Sequence, residues 1–168
     1  MEKRSLYQEQ KKIKPKIEEI INAALRGEKK QNALDFVAFV TSFKMTPQWA
    51  SANSWAVSYK NKRVCYIKVS NNIDGNGSWY IRPSLVYDEI IDFCISENLE
   101  KIMLDNIHFC GACGKCAPGK KQSFFGKEFD NVCCAPIDFE FHDPNSPTMD
   151  CTKKLVVFSR NLISDVKL

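Results

Sequence analysis

The chain has 168 residues, of which 44% are apolar and 26% charged, and its formal net charge is +4. This composition is typical of a globular domain, and a chain of this length can bury enough surface to fold without disulfide bonds. No apolar run approaches the ~20 residues that cross a bilayer, so we expect no membrane segment and no membrane partner. The opening MEKRSLYQEQKK has no apolar stretch after its charges, so we expect no secretory signal and a cytoplasmic location.

Two helices are predicted in the first part of the chain. Pro15 suits the first turn of a helix, and residues 17–25 then carry apolar side chains at helical spacing. A second, deeply buried helix is predicted over residues 30–43, ended by Pro47. The polar residues 1–12 are expected to fray.

The next segments alternate with the period of strands. Residues 55–59 alternate as in a half-buried strand, and residues 64–69 are rich in β-branched and aromatic side chains. Residues 71–77, NNIDGNG, form a loop by composition, and a third strand is predicted over residues 79–81. Three strands with short links favour an antiparallel meander.

The remaining segments complete a predicted α+β domain. A third helix is predicted over residues 86–97, and residues 99–107 are ambiguous between helix and strand. Alternation over residues 137–142 predicts a fourth strand, and Ser146 and Pro147 can cap and open a last helix.

This order predicts one α+β domain over residues 1–168, with an antiparallel sheet of three to four strands packed against helices. No internal repeat or linker divides it. A cysteine-rich metal-binding excursion, residues 108–135, is expected before the last strand and the C-terminal helix.

The strongest motif is a cluster of five cysteines in the pattern C-x2-C-x2-C-x16-C-C: Cys110, Cys113, Cys116, Cys133 and Cys134. Two residues between thiols let one tight turn direct both sulfurs at one ion, and the adjacent glycines leave the backbone room to turn. Structural zinc sites are tetrahedral, commonly with four Cys or with three Cys and one His. The pattern predicts a structural zinc bound by Cys110, Cys113, Cys116 and either Cys133 or Cys134, with His108 at most a substitute ligand.

Other thiol chemistry stays open. An iron–sulfur cluster is less favoured, because Cys116 is followed by Ala-Pro-Gly-Lys and the ferredoxin pattern requires a further Cys there. Metal-free thiols are another alternative, as is a redox pair of Cys133 and Cys134, although a disulfide between neighbours is strained. The other three cysteines stand alone in apolar contexts and are expected in the core: Cys65, Cys94 and Cys151.

A second candidate site is a set of aromatic residues on the predicted strands: Trp55, Tyr59, Tyr66, Trp79 and Tyr80. If they share a sheet face they can line a pocket for a flat or apolar ligand, with Arg82 as its charged group. The alternative, which strand propensity favours, is that they form the core of the sheet.

Charge and motifs give little support to an enzyme or a nucleic-acid protein. No nucleophile, zinc-protease or phosphate-loop motif occurs, so no residue is predicted as catalytic. Residues 1–30 hold nine Lys or Arg and five Asp or Glu, and the rest of the chain holds fifteen of each sign. A basic arm for nucleic acid is one interpretation, but a solvated helix face is favoured because the pI is 8.6 and arginine is sparse.

Two stretches resemble known sequences. The hairpin WAVSYKNKRVCYI and the final helix KKLVVFSRNLI resemble small bacterial α+β domains of the uncharacterised YdhG-like group, over residues 50–165. The segment CGACGKCAPGKKQSFFGKEFDNVC is similar to a cysteine-rich insertion in uncharacterised Gram-positive bacterial proteins. The resemblance implies a sheet-and-helix domain with no established activity, and the insertion departs from the plain YdhG-like pattern.

The leading hypothesis is therefore a non-enzymatic cytoplasmic binding module whose zinc-held excursion recognises a protein or small ligand. Basic and aromatic residues of the excursion are expected to form that surface: Lys115, Lys120, Lys121, Lys127, Phe124 and Phe125. The alternatives are a thiol-based or iron–sulfur redox protein and, less favoured, a weak nucleic-acid binder.

Overall fold

The structure is a computed structural model that describes residues 5–70, 76–85, 87–109, 115, 118–132 and 138–165. Its described helices are α1 (Leu6–Ile13), α2 (Ile17–Ala24), α3 (Gly27–Ser42), α4 (Tyr87–Ser96), α5 (Glu100–Asp105) and α6 (Ser146–Asp165). Its described strands are β1 (Thr46–Ser51), β2 (Ser54–Tyr59), β3 (Lys62–Ser70), β4 (Ser78–Pro83), β5 (Ile107–His108), β6 (Lys120–Phe124), β7 (Lys127–Val132), β8 (Asp138–Phe139) and β9 (Phe141–His142). The predicted α+β class is confirmed.

The chain divides into two compact units. Unit 1 comprises residues 1–84 and 141–168, and unit 2 comprises residues 85–140. Unit 2 therefore begins well before the predicted excursion at residue 108 and includes two helices, α4 and α5. Within the described residues, no helix combines the length and the apolar character needed to cross a bilayer.

Unit 1 is built on a five-stranded antiparallel sheet in the order β1-β2-β3-β4-β9. The alternation in the sequence predicts the central meander but not β1, because Pro47 after a helical pattern predicts the end of a helix. Pro47 instead lies in an edge strand opposite Val57, where a missing N–H is tolerated.

Helices α2, α3 and α6 cover one face of this sheet. Alternate strand positions direct Trp55, Ile67 and Trp79 into a core that also contains Phe36 of α3 and Val156 of α6. The intervening positions of the strands, such as Tyr66 and Tyr80, lie on the opposite face, which we call the outer face.

The N-terminal residues were expected to fray, and this prediction is wrong for α1. The Ser5 hydroxyl accepts from the Gln8 backbone N–H and the Gln8 side chain accepts from the Ser5 N–H, which forms a capping box. Buried Gln10 then accepts a hydrogen bond from the Asn53 backbone N–H at 2.7 Å. This buried contact holds α1 against the turn between β1 and β2.

Unit 2 contains α4, α5, the short antiparallel pair β5–β8 and the hairpin β6–β7. The ambiguous segment 99–107 consists mainly of helix α5. The predicted fourth strand is divided, because β8 pairs with β5 in unit 2 whereas β9 forms the edge of the sheet in unit 1. Ile137, which the alternation places in that strand, lies outside the described residues.

Candidate functional site

The five clustered cysteines lie outside the described residues: Cys110, Cys113, Cys116, Cys133 and Cys134. Among the residues that the structure does describe, no three His, Cys, Asp or Glu side chains gather as a metal site. The predicted zinc ligands therefore stay a prediction, and the relevant geometry is that of the strands that flank them in unit 2.

The hairpin β6–β7 joins the two parts of the cysteine pattern. Phe125 and Gly126 both have positive φ, 47° and 72°, as the two-residue turns of tight hairpins require. At the other end, Lys120 is the register partner of Val132. A Cβ on Gly119 would lie 2.2 Å from the Cα of Asn131, so the two backbones touch at this open end.

The pair β5–β8 flanks the cysteine pattern at its two outer ends, since β5 precedes the first cysteine and β8 follows the last. Its register sets His108 opposite Asp138, and the Glu140 N–H donates to the Asn106 carbonyl at 3.0 Å. The chain therefore leaves β5 toward the first cysteines and returns to β8 directly beside its point of departure.

The hairpin packs against the β5–β8 pair through contacts between aromatic rings. The ring centre of Phe124 lies 5.0 Å from that of Phe139, and the ring centre of Phe109 lies 5.6 Å from that of Phe129. Both cysteine-bearing stretches are thus attached at each end to strands that pack together within unit 2.

A histidine–carboxylate pair lies at the edge of this arrangement. The Nδ1 atom of His108 is 3.2 Å from Oε2 of Glu140, whose side chain is only 7% exposed. Donation from Nδ1–H to this carboxylate leaves Nε2 as the nitrogen with an available lone pair. Metal-binding histidines commonly have such a carboxylate partner, which fixes the tautomer and the ring orientation.

The predicted recognition surface of the excursion needs a correction. Phe124 was expected on that surface, but it is 1% exposed and packs against Phe125 and Phe139. Lys121 lies 3.8 Å from both Glu128 and Asp130, so the basic character of the hairpin is partly offset by its own carboxylates.

The aromatic set predicted as a ligand pocket is divided between the two faces of the unit 1 sheet. Trp55 and Trp79 are each 1% exposed and belong to the core, where the Trp55 indole donates to the Pro15 carbonyl. The structure therefore does not bring them together with Tyr66 and Arg82, which lie on the outer face and oppose each other in the β3–β4 register.

Tyr59 lies at the end of β2, where it is partly buried and packs against the core that contains Trp55 and Trp79. A hydrogen bond with Ser164 lowers the pKa of its hydroxyl, and the positive charges of Arg160, Lys60 and Lys44 act in the same direction. The Arg160 guanidinium lies 4.4 Å from the Tyr59 ring centre, which fixes this end of the strand against α6.

A groove of about 270 Å³ lies on the outer face where Tyr66 and Arg82 meet. Its lining residues come from β1, β2, β3 and β4: Ala50, Ser51, Ser54, Tyr66, Lys68, Tyr80 and Arg82. Sequence reasoning missed Lys68, although its position two residues after Tyr66 on the same strand places it on the same face.

The three isolated cysteines are buried and free, as predicted: Cys65, Cys94 and Cys151. Burial raises the pKa of Cys65 well above its ordinary range. Burial, with a smaller contribution from the charge of Glu100, raises the pKa of Cys94 to about 12. Both thiols therefore stay protonated at neutral pH, and neither is suited to bind a metal or to act as a nucleophile.

Comparison with family models, with curated proteins and with solved structures finds no match for this chain. The resemblance to the YdhG-like group stays a prediction.

Proposed function

We propose that this protein is a non-enzymatic cytoplasmic binding module in which one structural zinc ion stabilises unit 2. Its ligands are the thiolates of Cys110, Cys113, Cys116 and one of the pair Cys133 and Cys134. The spacing of these thiols is the reason to propose zinc, because four thiolates are a common tetrahedral donor set for structural zinc.

The pairing of Lys120 with Val132 is the observation that carries this proposal. Cys133 directly follows Val132, and Cys116 precedes Lys120 by four residues. A chain spans at most about 3.5 Å per residue, so four residues reach ~14 Å at most. Although sixteen residues separate the third and fourth cysteines in the sequence, the hairpin brings the chain segments that lead to them close together in space.

The β5–β8 pair supports the same convergence. Cys110 follows His108 by two residues, and Cys134 precedes Asp138 by four. His108 and Asp138 are register partners, so the chain needs only a few residues on each side to bring these thiols together.

The hairpin β6–β7 and the β5–β8 pair bury few apolar side chains, which gives the ion an energetic role in this part of unit 2. The strands of the β5–β8 pair have two residues each, and the buried side chains of the hairpin are Phe124 and Val132. A structural zinc site contributes about 10–16 kcal/mol in small domains at neutral pH. Since four thiolates leave no open coordination position, this ion supports the fold of the unit and no hydrolytic reaction.

His108 is the alternative fourth donor. Its Nδ1 pairs with buried Glu140, so Nε2 could complete the site in place of Cys133 and Cys134. Cobalt substitution distinguishes the two donor sets, because the intensity of the thiolate-to-cobalt charge-transfer band increases with the number of thiolates. Replacement of His108 by Gln leaves this spectrum unchanged if all four donors are sulfur.

Metal analysis of the reduced protein tests the proposal. We expect one equivalent of zinc per colourless chain, and we expect Cys116→Ser to lower zinc retention sharply. Cys151→Ala is the matched control, because it removes a buried thiol outside the cluster and is expected to retain the zinc. A brown protein that contains iron and sulfide would instead support the iron–sulfur redox alternative.

The recognition function is assigned to unit 1. A protein or small ligand binds at the groove on the outer face, where Tyr66 and Arg82 are joined by Lys68 and Tyr80. Concave sites lined by aromatic side chains with a few charged groups are the usual form of ligand sites, which supports this assignment.

A further inference from the structure

The outer-face groove has an alternating arrangement of aromatic and cationic side chains. Tyr66 on β3 opposes Arg82 on β4, and Lys68 on β3 opposes Tyr80 on β4. Each tyrosine therefore has a cation across from it and a second cation two residues along its own strand. The other wall consists of small residues, including Ala50 and Ser54, which leave the tyrosine rings accessible from that side.

The sheet that carries this groove is positively charged. Its five strands contain no Asp or Glu, and their cations are Lys62, Arg63, Lys68 and Arg82. Residues 36–87 hold six Lys or Arg and one acidic residue, Asp74, whereas residues 88–168 hold nine Lys or Arg and thirteen Asp or Glu. An anionic ligand is therefore attracted to this part of unit 1.

The tyrosine rings are held in place before any ligand binds. The Arg63 guanidinium lies 4.5 Å from the Tyr66 ring centre, and its Nη1 donates to the Tyr66 hydroxyl at 2.8 Å. On the neighbouring strand, the His142 ring lies 5.0 Å from the Tyr80 ring. Such ordering reduces the entropy that a bound ring system would otherwise cost.

Lys68 is the cation available to an anion in this groove. Its side chain is exposed, its Nζ lies 6.0 Å from the Tyr80 ring centre, and no carboxylate in the described part of the chain pairs with it. Arg82 has an interaction partner within the chain, so it is not the group to which the anion contact is assigned.

We propose that the groove binds a nucleotide, with the base packed against the tyrosine rings and the phosphate paired with Lys68. Aromatic side chains beside Lys or Arg are the chemistry by which proteins bind bases and phosphates together. The volume of about 270 Å³ lies just below the usual range of small-molecule sites, so the groove admits only a small ligand such as a single nucleotide. This inference rests on the proposed recognition function of unit 1 and is independent of the zinc ion.

The same nucleotide chemistry has two sources, a free nucleotide and a nucleotide within a single strand. Titration with AMP tests the first, and the fluorescence anisotropy of a labelled ten-residue oligoadenosine tests the second. Binding of AMP with no gain for the oligomer identifies a free nucleotide. A gain for the oligomer that decreases with added salt identifies a strand that also contacts cations outside the groove.

Two variants test the assigned contacts. Lys68→Ala and Tyr80→Leu are each expected to weaken binding at least tenfold, while Lys154→Ala, which removes an exposed lysine of α6 on the helical side of the sheet, leaves it unchanged. Circular dichroism and zinc content measured on the same samples separate loss of this site from loss of the fold or of the metal. Absence of binding by both probes to the folded protein, or unchanged binding by both groove variants, would overturn the proposal.

Discussion

Gly119 is the residue at which the two strands of the hairpin come closest. A Cβ there would lie 2.2 Å from the Asn131 Cα and 2.6 Å from its carbonyl oxygen. These are backbone atoms, so no side-chain rotation can relieve the clash. Only glycine allows this approach, which brings together the two chain segments that lead to the cysteines.

Replacement of Gly119 by Ala is expected to destabilise unit 2 by about 2 kcal/mol or more, because a backbone segment must move. Hydrogen exchange of the hairpin amides measures the effect. Gly126→Ala is the matched control, since a Cβ there meets nothing within 4 Å and the strain comes only from its positive φ, at a cost of about 1 kcal/mol. Equal losses for the two variants would show that the close approach is absent.

The buried Cys94 thiol makes the stability of unit 2 depend on pH in the alkaline range. Its pKa is raised from an ordinary value near 9 to about 12, so the folded state holds this proton more tightly than the unfolded state. Its stabilising contribution is complete below pH 9 and is lost progressively as the pH rises toward 12.

The unfolding free energy should therefore decrease over this window, by at most ~1.4 kcal/mol per pH unit for this thiol. Cys94→Ala removes that part of the slope, whereas Ser96→Ala at an exposed position of the same helix retains it. Urea titrations at pH 8 and pH 10 make the comparison, and identical slopes for Cys94→Ala and the unmodified protein would refute the assignment.

At the scale of elements, the hairpin β6–β7 is held by apolar contacts and only weakly by its ion pairs. Phe124 is buried against Phe125 and Phe139, whereas Lys121 and its two carboxylate partners are more than 70% exposed. Exposed ion pairs contribute little to stability, while a buried aromatic ring contributes several kcal/mol.

Phe124→Ala is accordingly expected to destabilise unit 2 by about 3–5 kcal/mol, and Lys121→Ala by less than about 0.5 kcal/mol. The free-energy changes of both variants are measured by hydrogen exchange of the hairpin amides at increasing denaturant concentration. A Phe124→Ala variant as stable as Lys121→Ala would mean that Phe124 is available for recognition, as the sequence alone had suggested.

The sequence predicts elements well where one period runs long enough to be distinctive. The patterns over residues 30–43 and from Ser146 onward correspond to α3 and α6, and the alternation over 55–69 corresponds to β2 and β3. It fails at β1, where Pro47 is permitted because the strand lies at an edge. An edge position is a property of the assembled sheet that no local pattern contains.

The candidate site also depends on features of the assembled sheet that residue types alone do not contain. Residue types predicted an aromatic pocket, but the pleat of the sheet separates Trp55 and Trp79 from Tyr66 and adds Lys68. Strand alternation could have made this division, since Tyr66 and Lys68 share a face and Ile67 points away. The partner of Tyr66 across the strands, Arg82, depends on register, which the loop between β3 and β4 did not define.

Over the whole molecule, the excess positive charge and the clustered thiols lie in different parts of the chain. The net charge of residues 31–168 is zero, but the segment that contains strands β1–β4 is basic and the segment that follows it is acidic. The clustered thiols all lie between residues 110 and 134, within the range of unit 2, while the proposed recognition groove belongs to unit 1. We therefore expect loss of zinc to destabilise unit 2 and to leave ligand binding at the groove of unit 1 unchanged.

X-ray absorption at the zinc edge of the reduced, purified protein examines the thiol assignment directly. A single zinc per chain, surrounded by four sulfur atoms at about 2.3 Å, is the expected result. A protein that binds no zinc when folded and reduced, or a zinc ion surrounded only by oxygen and nitrogen, would contradict the convergence of these thiols on one ion.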